Sequence, residues 1–179
     1  MRSRSAWLAA GFAATAVLAS AVPAVADHRD DDIKDGTLTE AREASAQFLD
    51  VEQALEAGYV PASPCEPGQG FHYLHPKLAK DDDLDVSYPE VLLYEPGPDG
   101  QLRLVGVEYV RFYPESFEAP PAPPYVRDAD GPRMFGEDFH GPMAGHAPEM
   151  PDHHELHVWV WRHSPEGMFA DHNSWIHCP

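Results

Sequence analysis

From residue 37 onward, apolar side chains at Leu38, Ala41, Ala44, Phe48, Val51 and Leu55 recur at the three- and four-residue spacing of a single helix face. Thr37 and Glu40 fit a capping box, and Gly58 suits the position just past a helix end, so the pattern predicts one helix over 38–57 with one face buried. The period then shortens. Apolar runs at 70–74, 90–94, 102–112 and 155–161, set off by turn residues, read as strands, and Asp99-Gly100 between the second and third suggests a hairpin with a longer loop. No internal repeat is visible. The expected architecture is α+β, an N-terminal helix packed on an antiparallel β-sheet, with a cupin-like β-barrel as the alternative.

Between Pro114 and Pro151 the periodicity lapses, and nine of the 19 prolines fall there. A long Pro-rich loop follows from that composition, stiff over 120–124, and its apolar residues Met134, Phe139 and Met143 favour a loop that packs as a lid over the sheet. At the other end, Arg2 and Arg4 precede an Ala-rich apolar run and Ala24-Val25-Ala26, the pattern of a signal peptide cut after residue 26. The alternative, an uncleaved anchor, fits poorly with so much Ala, Ser and Thr. Residues 27–36 hold five aspartates and one large apolar side chain, which predicts a flexible acidic tail ahead of a single domain at 37–179.

Charge narrows the partners. Cleavage at that site leaves 10 basic against 30 acidic side chains, a net charge of −20 with histidine neutral. Nucleic acid and anionic lipid surfaces, which need clustered Lys and Arg, are thereby disfavoured, and cations are attracted. With export, the two cysteines most simply form one disulfide, Cys65 with Cys178. No membrane span is expected after signal cleavage, and oligomeric state is not legible.

The chemistry concentrates late in the chain, where eight of the 11 histidines lie between His140 and His177. In a strand, His153, Glu155, His157, Trp159 and Trp161 share one face, while His154, Leu156, Val158 and Val160 share the other, a plain core face. Imidazole and carboxylate on one face are costly to bury unless satisfied and are the donors of a transition-metal site. Neighbours at i and i+2 stand about 7 Å apart, which suits Glu155 with His157, and His153 joins if it lies on a bend. A further ligand must come from elsewhere. His72 and His75, both within 70–76, would face opposite ways in a strand, and His72, inside the 70–74 run, is the better choice; Glu108, amid apolar strand residues, is either a ligand, a paired group or part of a solvated face. Copper or zinc is the expected ion, with Met143, His146, Met150 and His153 tilting the set towards copper.

Other chemistries lack their machinery. A zincin helix is excluded, since the glutamate does not follow the first histidine and Val158 to Trp161 is strand-forming. Asp81 to Asp85 resembles the start of a calcium loop, but Val86 and Leu92 stand where glycine and glutamate are required. No phosphate loop, nucleophile elbow or Cys-His dyad is present, so nothing marks the chain as an enzyme beyond the metal ligands.

The segments around Gly70-Phe71-His72-Tyr73, 89–95, 104–109 and His153 through Trp161 to Cys178 resemble a group of small exported bacterial proteins without an assigned function. The resemblance implies one exported domain and no particular activity. Two readings follow from the residues: an exported domain holding a divalent ion through His157 and His72 with His153, Glu155 or Glu108, or a metal-free envelope module in which Tyr73, Trp159 and Trp161 form an aromatic platform for a small molecule.

Overall fold

A computed structural model describes residues 33–113, 130–146 and 150–179. The signal segment 1–26, tail residues 27–32 and the polyproline stretch 120–124 lie outside the described residues. The described chain is α+β. It runs β1 (Ile33–Lys34), α1 (Leu38–Ser45), a 3₁₀ turn (Ala46–Leu49), α2 (Val51–Ala57), β2 (Val60–Pro61), β3 (Phe71–Leu74) and β4 (Leu84–Asp85). Then follow β5 (Val91–Pro96), β6 (Leu102–Phe112), β7 (Arg133–Met134), β8 (Glu137–Asp138), β9 (His140–Met143) and β10 (His153–Val158). Among the described residues, six strands form one antiparallel sheet in the order β2-β3-β5-β6-β10-β9. The order does not return on itself, which sets the barrel aside.

The helix is interrupted where a continuous one was expected. Thr37 and Glu40 close the capping box that starts α1, but the chain tightens at Ala46–Leu49 and restarts with Asp50, whose side chain accepts from Glu52 N at 3.1 Å. Tertiary contact drives the break: the Tyr94 hydroxyl donates to the Phe48 carbonyl at 2.7 Å, satisfying a group that the helix ladder no longer pairs. The tail also differs from expectation. Ile33 and Lys34 pair in parallel with Leu84 and Asp85, Lys34 Nζ lies 3.2 Å from Asp85, and Asp35 accepts from Phe135 N at 2.8 Å. A segment too polar to bury itself is fixed here by another strand's hydrogen bonds.

Side-chain alternation sorts the sheet into two layers. Tyr73, Leu92, Val107 and Val158 stand in one row across β3, β5, β6 and β10 and meet Phe48, Ala54 and Tyr59 beneath the helices. The next row, Leu74, Val91, Glu108 and His157, points the opposite way. That second face carries a smaller apolar cluster of its own, which includes Val91, Leu93, Val110, Trp159 and Ile176. Every residue from His153 to Val158 is buried, so a solvated face for Glu108 is excluded.

Two further boundaries shift. β10 ends at Val158 instead of residue 161, because Trp161 N and Arg162 N both turn to the Val105 carbonyl, at 3.1 and 2.9 Å, where β6 bulges opposite Leu93 and Tyr94. Part of the expected Pro-rich lid is sheet: β7 and β8 form a small hairpin, and β9 adds to the edge of β10. Pro142 is tolerated there, since an edge strand leaves one side of its backbone unpaired. Met134, Phe139 and Met143 are buried, as a packing segment requires. Cys65 and Cys178 are joined, with Cα atoms 5.7 Å apart, tying the 62–70 loop to the chain end.

Candidate metal centre

The second face of the sheet brings five of the sequence-selected ligands together. Antiparallel register sets Glu108 of β6 opposite His157 of β10, with Glu155 and His153 following at alternate positions opposite Val110 and Phe112. His72 on β3 lies one row away, opposite Leu93, which in turn opposes Gly106. Gly106 leaves the gap that Trp159 occupies: a Cβ built there would stand 2.8 Å from the Val158 carbonyl oxygen and 3.2 Å from the indole. Held by a 2.7 Å bond from its Nε1 to the Ala170 carbonyl, the indole lies nearly parallel to the His157 ring, 16° off, with ring centroids 5.9 Å apart.

His72, Glu108 and His157 each offer an atom within 4.8 Å of the others. Proton accounting fixes which nitrogen of His72 is available. Ser63 Oγ donates its hydrogen to the Pro64 carbonyl at 2.9 Å and therefore accepts from His72 Nδ1 at 3.0 Å. Nε2 is left with its lone pair, 3.8 Å from Glu108 Oε2. This is the arrangement that orients a metal-binding imidazole, with the far nitrogen held by an outer partner. His157 is more extreme: it is 1 % exposed, and neither ring nitrogen has a hydrogen-bond partner.

Glu155 extends the cluster. His153 Nε2 stands 3.1 Å from its Oε2, while His157 Nδ1 is 3.9 Å from its Oε1. His146, His153 and Glu155 form a second group within the 4.8 Å limit, and Glu155, His157 and Asp171 a third. Asp171 itself contacts the His140 ring. Glu155 is thus shared.

The electrostatics suit a cation. Burial lowers the basicity of His72 and takes His157 down to about 4 against the opposing pull of Glu155, so both imidazoles are neutral at pH 7 with lone pairs exposed. Burial foremost, then the nearby charge of Glu155, pushes Glu108 well above the carboxylate range. For Glu155 itself, burial acts upward but is outweighed by the His153 hydrogen bond and by His157, His153 and His146, which hold it at about 2. Of the two carboxyls, Glu108 keeps the proton and Glu155 the charge. Among the described residues no lysine or arginine pairs with either.

A cavity of about 950 Å³ opens over this wall, bounded among others by Glu66, His72, Glu108, Phe112, His146 and Glu155. No family model matches the chain, and neither the curated proteins nor the solved structures yield a match. The site therefore rests on its own geometry.

The remaining sequence-selected groups go elsewhere. His75 accompanies α2, its Nε2 within 3.2 Å of the Ala57 carbonyl. Tyr73, Trp159 and Trp161 do not share a surface. Tyr73 packs edge-on to Tyr94 under the helices, Trp159 is buried behind His157, and Trp161 sits beneath Arg42 with its Nε1 donating to Ser45. Sequence reasoning gave His146 only a supporting part and passed over His140 and Asp171. The histidine density after residue 140 signals the first two, whereas nothing in the irregular 162–179 segment marks Asp171.

Proposed function

We propose that this chain is an exported metal-binding domain in which His72, Glu108 and His157 hold one divalent zinc or copper ion at the base of the cavity. The observation that carries the reading is the set of orphaned atoms: both nitrogens of buried His157 and Glu108 Oε2 lack any hydrogen-bond partner. Unsatisfied buried polar atoms cost about 1–3 kcal/mol each, and one ion can take a single His157 nitrogen together with Glu108 Oε2, the other ring nitrogen keeping the proton. Two imidazoles and a carboxylate are a donor set that zinc accepts with a coordination position to spare. Glu108, protonated beside Glu155, would release its proton to the ion's charge. Export is supported by the leader-like sequence and the disulfide.

The test is direct. Purified without a histidine tag, equilibrated with excess zinc and desalted, the protein retains metal by elemental analysis, and His72→Ala and His157→Ala each lose one equivalent while still unfolding cooperatively. A wild-type chain that leaves the column free of metal after both zinc and copper overturns the proposal.

A further inference from the structure

The same wall carries a second donor set, and its chemistry differs from the first. His153 is fully buried at the start of β10, and its Nδ1 lies 3.2 Å from the Pro151 carbonyl, an acceptor only, so that nitrogen carries the proton. Its Nε2 hydrogen-bonds Glu155 Oε2 at 3.1 Å, a proton that a bound ion would displace, and that separation is close to the roughly 3.3 Å that two ligands at 2.0 Å keep around a tetrahedral ion. The His146 ring stands 5.0 Å from that of His153, edge to face, and its Nε2 lies 3.3 Å from the Met143 sulfur. Glu155 Oε1, buried, has no hydrogen-bond partner.

We infer that Met143, His146, His153 and Glu155 form a second metal site, one of copper type, next to the His72–Glu108–His157 site. Two imidazoles with a thioether make a soft set, which favours copper over zinc, whereas the first site offers only nitrogen and oxygen. The position also provides an entry path: His146 is exposed at the cavity mouth, while His153 and Glu155 are buried behind it. Glu155 is the link. One oxygen faces His153 and the other His157, so an ion bound at either site changes the charge that the other ion meets. This second site uses none of the first site's three ligands and stands whether or not that site is real.

The experiment uses the whole exported chain, stripped of metal and titrated separately with zinc and with copper(I) kept reduced by ascorbate, against a chromophoric copper(I) competitor. The wild type should retain one zinc equivalent and, with copper, a second equivalent that zinc does not displace. His146→Ala, at an exposed position, should lose the copper equivalent and keep the zinc; Met143→Leu, close in volume, should weaken copper at least tenfold and leave zinc unchanged. Copper binding equal to wild type in both variants overturns the second site. Zinc lost in His72→Ala with copper kept in full would support the second site independently of the first, and a single equivalent of either metal, lost only in His72→Ala, would leave the first site and refute the second.

Discussion

At the scale of single residues, the sheet buries one carboxyl that no ion explains. Glu90 is 1 % exposed, accepts from Val110 N at 3.1 Å through one oxygen and has no partner for the other. Burial foremost pushes its pKa well above the usual carboxylate range, so the native state holds it neutral. A folded pKa above the unfolded one means that its contribution is complete below about pH 4.3 and drains as pH rises towards the folded value, by up to about 1.4 kcal/mol per unit. Glu90→Gln, which cannot titrate, should therefore gain on wild type between pH 5 and pH 7.5 in urea midpoints; parallel curves for the two proteins would show that Glu90 is charged when folded. The sequence hid this group, because a glutamate ahead of an apolar run reads as a strand boundary in water. It disclosed His72, Glu108, His153, Glu155 and His157 for the opposite reason. Each sits inside a strand pattern whose period of two assigns it a face, while Asp171, in a segment without period, has no such address.

Elements show where local preference yields to packing. The 3.6-residue pattern placed a helix over 38–57, and both ends hold, yet the break at Asp50 was invisible because Phe48 and Val51 keep the apolar spacing through it. What interrupts the helix is the Tyr94 hydroxyl from β5, a partner distant in sequence. Each helical piece consequently needs its own cap. Thr37→Ala removes the acceptor for Glu40 N, at 3.2 Å, and Asp50→Ala the acceptor for Glu52 N; each should cost about 1 kcal/mol in chemical denaturation, and the double variant about twice that, since the caps share no partner. A double variant no weaker than either single one would mean that the two pieces melt as one helix. Strand lengths were legible where a hairpin fixed them, as in β6, and not at the end of β10, where the bulge at Val105 draws the chain away.

For the molecule as a whole, the disulfide closes a span of 113 residues. In the chain-entropy model a loop of that size is worth about 4–5 kcal/mol, a large share of the stability of an ordinary domain. Cys65→Ser with Cys178→Ser should lower the denaturation midpoint accordingly. It should also weaken zinc, because the freed 62–70 loop carries the Ser63 that holds His72 Nδ1; unchanged zinc retention would show that β3 alone sets that imidazole. The pairing was legible from two cysteines and an export signal, whereas the strand order was not, since β10 joins β6 across a long connection that the Pro-rich composition disguises. One feature of that order reaches past the single molecule. The sheet's two outermost strands, β2 and β9, are short, and each contains a proline, Pro61 and Pro142, which has no backbone hydrogen to offer a neighbour. A second copy seeking to extend the ladder finds an interrupted template at either border, so a crowded, histidine-rich protein of this kind is protected from edge-to-edge aggregation by where two rings fall in its chain.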